Sequence, residues 1–133
     1  MAKNKKLVID FFEEVYNLRN FEYILDNFSD NYFEHRDDGA RSNMDALKIT
    51  KIACSIFPDL NVSIDQIIEE NDLIAVNLSF TGTHKGVYLD IPGTSKLINW
   101  EAMEFFRIEN NLITESWGTW PNHDILLKIT KPD

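Results

Sequence analysis

From Lys3 to Tyr16 the apolar residues Leu7, Val8, Phe11, Phe12 and Val15 recur at steps of one, three and four, with Asp10, Glu13 and Glu14 between them. This is the stripe of an amphipathic helix. Asn20 is placed to cap a second short helix with Phe21, Ile24, Leu25 and Phe28 on its apolar face, and Ser29 and Asp30 end it. Asn31 to Arg36 is too short to assign, and it delivers His35 to a charged loop from Arg36 to Arg41. Ser42 with Asp45 after it resembles a capping box, which predicts a helix through about Ile56 with Met44, Leu47, Ile52 and Ile56 on its buried side. Pro58 and the restriction it puts on Phe57 stop that helix.

The period then changes to two. Val62, Ile64, Gln66 and Ile68 share one face of a predicted strand, and Asn61, Ser63, Asp65, Ile67 and Glu69 share the other. Gln66 is the polar exception and is expected to find a partner or line a cavity. Glu70, Asn71 and Asp72 turn the chain into a second strand with Ile74, Val76, Leu78 and Phe80 facing inward, so Gly82 and His84 continue on the core side. A loop from Lys85 to Ser95, with Gly86, Pro92 and Gly93, leads to a strand from Leu97 to Ile108 that is mostly apolar on both faces. Such a strand is central or has a partner subunit on its outer face. Glu104 shares a face with Trp100, Ala102 and Phe106, which makes it a buried carboxylate unless the register slips by one. After a turn at Asn110 and Asn111, Leu112 to Thr119 returns as a strand with Ile113, Glu115 and Trp117 on one face. His123 to Ile129 reads as a terminal helix packing through Ile125, Leu126 and Ile129. Helices followed by four antiparallel strands predict an α+β domain whose helices cover one face of a curved sheet. A cone between sheet and helices is then the place for a ligand.

The length of 133 residues fits one domain spanning 1–133, large enough to bury a core with a pocket. A formal charge of -9, with Lys3, Lys5 and Lys6 as the one basic run, argues against nucleic acid and anionic membranes as partners. Neither a membrane-length apolar run nor a signal-peptide pattern after Met1 is present, which points to the cytoplasm. The single cysteine, Cys54, reads as a small buried hydrophobe. His35, His84 and His123 lack the spacing of a helical metal pair, so no metal site is expected. Trp100, Trp117 and Trp120 suit a core or a pocket wall.

At FPDL, FTGTHKG, the IPGT loop, FFRIENNLI and ESW, the chain resembles the SnoaL-like polyketide cyclases, or ester cyclases, of the NTF2-like superfamily. The resemblance covers almost the whole chain. It implies a cone-shaped α+β fold, often a homodimer packed through the sheet, with an enclosed pocket. It also implies an acid/base pair that closes a ring by intramolecular aldol condensation without metal or organic cofactor. His35 fits the family's histidine after the second helix, His84 that of the GTH motif, and Trp117 the tryptophan beyond Glu115. The family's catalytic aspartate falls four residues past that tryptophan, which here is Pro121, whereas Asp124 lies four past Trp120, with Asn122 and His123 nearby. The resemblance therefore implies His35, His84 and Asp124 as catalytic residues. Gln66, Phe80, Trp100, Glu104, Trp117 and Trp120 are the expected substrate contacts, and a small hydrophobic carbonyl compound is the expected substrate. A binding module or dimeric scaffold of the same fold, without chemistry, is the other reading.

Overall fold

A computed structural model describes residues 3–132; Met1, Ala2 and Asp133, the ends of the predicted 1–133 domain, lie outside the described residues. Helix α1 (Lys3–Phe11) widens into π-type turns over Phe12–Asn17, and α2 (Glu22–Asn27) follows. Strand β1 (Phe28–Glu34) precedes α3 (Asn43–Ile56), and then come β2 (Asn61–Glu70), β3 (Leu73–Thr83), β4 (Leu97–Glu109), β5 (Leu112–Thr119) and α4 (Asn122–Thr130). The sheet order is β1-β5-β4-β3-β2, with β1 parallel to β5 and the other pairs antiparallel. The expected series of four antiparallel strands is thus a five-stranded mixed sheet, because the short Phe28–Glu34 segment adds itself to the edge of β5.

The α+β reading holds. Val8, Phe11, Phe12 and Val15 are buried as the helical stripe requires, and Phe11 and Phe12 place their rings 5.9 and 5.8 Å from Phe106 of β4. Ser42 Oγ accepts the Asp45 N–H at 3.0 Å and so caps α3. Asn20 does not cap α2, which begins after Phe21 without a side-chain cap, and Phe28, Ser29 and Asp30 belong to β1 rather than to the helix or its end. On α3 the buried side is Ala46, Leu47, Thr50 and Cys54, and Met44 and Ile52 are exposed. Beyond α3, Asp59 accepts both the N–H and the hydroxyl of Thr83 at 2.6 Å, so FPDL fastens the helix exit to the end of β3.

Two bulges correct the expected alternation. Ile64 pairs with Leu78 and Gln66 with Asn77, leaving Asp65 as the extra residue. Past it, Ile67 packs against the core, while Gln66 and Ile68 point outward. On β5 the pairs Ile108 with Ile113 and Arg107 with Glu115 leave Thr114 extra. Ile113 is fully buried on the inner face as a result, and Glu115 and Trp117 lie on the outer face with Arg107 and Phe105. β4 is central within the sheet, and Leu97, Met103 and Phe105 on its outer face are exposed.

Candidate active site

Between the inner face of the sheet and the helices lies a cavity of about 330 Å³. Its apolar wall includes Ile49, Ala53, Ile56 and Phe57 from the α3 region, together with Tyr16, Tyr88 and Trp120. Glu34, Arg36, Asp38, Glu104 and Asn122 supply its polar groups. A smaller space of about 40 Å³ adjoins it and shares Tyr16, Glu34, Ile49 and Glu104.

Glu104 projects inward because it keeps step with Trp100, Ala102 and Phe106 along β4. The residue opposite is Gly118, where a Cβ would lie 2.7 Å from Glu104 Cγ. A glycine there leaves the room across which the glutamate side chain reaches the cavity. Burial pushes the Glu104 carboxyl up to about 8; the Glu34 carboxylate adds to the rise and the Arg36 guanidinium opposes it. No hydrogen bond reaches this carboxyl among the described residues. Tyr16 stands beside it at the end of the α1 stripe, and burial, then the charge of Glu104, raises its phenol well above the usual range. Its hydroxyl has no hydrogen bond among the described residues.

The loop after β1 supplies the charges. Glu34 Oε1 accepts the Ala40 N–H at 3.1 Å, and Glu34 Oε2 lies 3.1 Å from Arg36 Nη2. Asp38, by contrast, is exposed at the cavity mouth with no hydrogen bond to its carboxylate among the described residues. Across the mouth, Trp120 Nε1–H donates to Tyr88 Oη at 2.9 Å, and Tyr88 O–H donates to Asn122 Oδ1.

Of the residues expected from sequence, Glu104 and Trp120 line this cavity. Phe80 and Trp100 are buried beneath it, stacked with ring centroids 5.6 Å apart. Gln66 is exposed and accepts a long hydrogen bond of 3.4 Å from Asn77. His35 and Trp117 lie on the outer face, stacked at 4.5 Å, with His35 Nε2 2.7 Å from Glu115 Oε2. Asp124 is in the first turn of α4, and its carboxylate lies 3.1 Å from Lys128 Nζ at the surface. The three expected catalytic residues therefore do not converge. The sequence does not mark Tyr16, Glu34, Arg36, Asp38 and Tyr88 as its lining, whereas Asn122 stands there as a nearby substitute for the expected aspartate. The signals for Tyr16 and Asp38 were only a tyrosine ending an apolar stripe and an acid in a charged loop.

His84 is fully buried with its ring against Phe57, which separates it from the cavity. Thr94 N–H donates to His84 Nδ1 at 3.2 Å, which places the ring proton on Nε2, and Thr94 Oγ1 lies 3.0 Å from the same nitrogen. Burial lowers the pKa of this imidazole from 6.5, with the backbone of Gly86 and Ile91 partly opposing. Below 6.5 the unfolded chain takes up a proton that the folded ring resists, so stability falls as pH falls. His84→Asn retains an acceptor for the Thr94 amide and does not titrate. Urea midpoints at about pH 7.5 and about pH 5.5 are expected to differ less for this variant than for the wild type.

Among the described residues no helix is long and apolar enough to cross a membrane, and no group of three or more His, Cys, Asp or Glu could hold a metal ion. The family model for SnoaL-like polyketide cyclases matches residues 6–128. AclR from Streptomyces galilaeus, provisionally named a hydroxylase, superposes with a TM-score of 0.86 at 23% identity, covering 100% of this chain and 99% of that one. TsrD from Streptomyces laurentii gives a TM-score of 0.89 at 18% identity over 98% and 97% of the two chains. A SnoaL-like polyketide cyclase from Agrobacterium tumefaciens gives 0.76 at 16% identity over 90% and 91%. At these identities the likeness is one of fold, the α+β NTF2-like fold. No curated protein matches the chain.

Proposed function

Because the chain belongs to the SnoaL-like polyketide cyclase family, we propose that its cavity carries out acid/base chemistry on a small hydrophobic carbonyl compound. The observation that carries this reading is Glu104, a carboxyl in the cavity wall with no hydrogen bond among the described residues and a pKa raised to about 8. At neutral pH it is mostly protonated and able to donate. Tyr16 stands with it in both cavities, and the two form a donor pair for an oxyanion.

In the proposed step Asp38 takes a proton from the carbon next to a carbonyl. The C–H electron pair moves into the C–C bond, and the carbonyl π pair moves onto the oxygen held by Glu104 and Tyr16. The enolate carbon then attacks a second carbonyl of the same molecule, a C–C bond forms as that carbonyl's π pair moves onto its oxygen, and the new alkoxide takes the Glu104 proton, which the proton held by Asp38 replaces through solvent. Return of the proton to a different carbon, without that attack, is an isomerisation. Neither route transfers electrons to a cofactor. The aromatic wall of Phe57, Tyr88 and Trp120 suits a flat substrate.

His84 serves in this reading as the anchor of the loop after β3, and His35 as part of the outer face. The exposed Ile68, Met103 and Phe105 on that face support pairing with a second copy of the chain. A ligand-binding role without chemistry is favoured by one observation, that the family's aspartate position is Pro121 and Asp124 pairs with Lys128 outside the cavity.

The two readings separate in heavy water. A bicyclic 1,3-diketone incubated with the wild type is expected to exchange its acidic C–H protons faster than with the Tyr16→Phe, Glu104→Gln double variant. Equal rates would leave the binding role standing.

A further inference from the structure

We infer that Asn122 is a specificity-determining residue, which donates its carboxamide N–H groups to an oxygen acceptor on the outer end of the ligand. The inference rests on the acid/base reading of the cavity for the ligand's inner end.

The assignment follows from hydrogen-bond accounting. An indole nitrogen can only donate, and Trp120 Nε1–H donates to Tyr88 Oη at 2.9 Å. The phenol's own proton goes to Asn122 Oδ1. With Tyr88 donating to Asn122 Oδ1, the relay runs outward from Trp120 and leaves Asn122 Nδ2 as the end turned away from Tyr88. Asn122 Nδ2 keeps two protons, and among the described residues no acceptor meets them.

Trp120 and Tyr88 are held from behind, and Asn122 is exposed at the cavity mouth. Trp120 packs edge-on against Phe80 and Trp100, with ring centroids 5.1 and 5.5 Å away. Tyr88 begins a tight turn in which it exchanges two backbone hydrogen bonds of 2.9 Å with Ile91. Leu89 and Asp90 complete that turn at φ 51 and 66, a left-handed conformation that non-glycine residues adopt at a cost. Asn122 is the first residue of α4. The bond from Tyr88 restrains the Asn122 carboxamide and so limits the freedom it loses when a ligand takes its protons.

The two polar ends of the cavity are distinct. Tyr16 and Glu104 also border the smaller inner space, whereas Tyr88, Trp120 and Asn122 border only the larger one. A ligand using both ends carries acceptor oxygens at opposite ends of a flat frame. Asn122 selects for the outer one.

Two probes share one bicyclic skeleton and differ at that end, 5-hydroxy-1-tetralone with a ketone and 5,6,7,8-tetrahydro-1-naphthol without it. Calorimetric titration of the wild type is expected to favour the ketone by about 3–10-fold, the worth of a neutral hydrogen bond. In Asn122→Leu the ratio is expected to fall to about one, and in Tyr88→Phe, where the carboxamide is free to turn, to an intermediate value. A ratio of about one in the wild type, an unchanged ratio in Asn122→Leu, or binding of neither probe would overturn the inference. Glu104→Leu, which removes the inner donor, is expected to weaken both probes alike. If it weakens neither while Asn122→Leu still removes the preference, the inner-end reading fails and the role of Asn122 stands.

Discussion

Glu104→Gln is expected to lower turnover of the proposed carbonyl substrate by about 10²–10³-fold, because the glutamine side chain still donates a hydrogen bond but has no proton to transfer. The wild-type rate is expected to decline as pH rises through about 8, where the carboxyl loses the proton it donates, and the variant's residual rate is expected to lack that limb. A wild-type profile flat across this range would remove Glu104 from the chemistry. The substitution is expected to move stability the other way from activity. The folded carboxyl holds its proton up to about 8, whereas in the unfolded chain it is released near 4.5. Across that window the unfolded state binds fewer protons, so the wild type loses stability as pH rises. Glu104→Gln removes this dependence and is expected to unfold at higher urea than the wild type at alkaline pH. Less activity with more stability is the pattern of a site whose protonation is set by the fold.

Gly93→Ala is expected to destabilise the fold by about 3 kcal/mol, at the upper end of what overpacking costs. A Cβ at this position would lie 2.2 Å from the carbonyl oxygen of Lys85 and 2.6 Å from its carbon. Both are backbone atoms, so no side chain can swing aside. Lys85 cannot retreat easily, since its N–H and that of Gly86 both donate to Ile56 O, at 2.9 and 3.0 Å. The loop would have to open, and Thr94, the next residue, would pull away from His84. A thermal midpoint lower by on the order of 10 °C checks the size of the effect. A drop of under about 2 °C would mean that the two strands of the loop separate at little cost.

Gly93 also marks what the sequence could convey. Its neighbour Pro92 marks it as a loop glycine, but the close approach that demands it joins two chain segments and leaves no local trace. The same limit applies to β2 and β5. Alternation of apolar residues located both strands. Their bulges at Asp65 and Thr114 arise from pairing with β3 and β4, so Ile113 could not be separated from Glu115 and Trp117 by pattern alone. Pattern alone gives Phe28 to Asp30 to a helix and its end and leaves Asn31 to Glu34 unassigned for a similar reason, since this short mixed segment becomes a strand only when β5 offers it an edge. Glu104 was legible because three apolar residues on its own strand set its direction. Tyr16, Asp38 and Asn122 come from three separate segments, and nothing in their own surroundings announces that they meet. Asp124 was drawn from family spacing; in the fold it sits within reach of Lys128, one helical turn away.

The placement of the three tryptophans offers something beyond binding and catalysis. Trp100 is sealed in the core, Trp120 faces the cavity, and Trp117 lies on the outer sheet face between His35 and Arg107. Each compartment of the molecule therefore carries its own fluorophore. In variants keeping one indole at a time, emission from Trp100 would track unfolding, that from Trp120 cavity occupancy, and that from Trp117 the surroundings of the outer sheet face. One titration could then read all three compartments without any label.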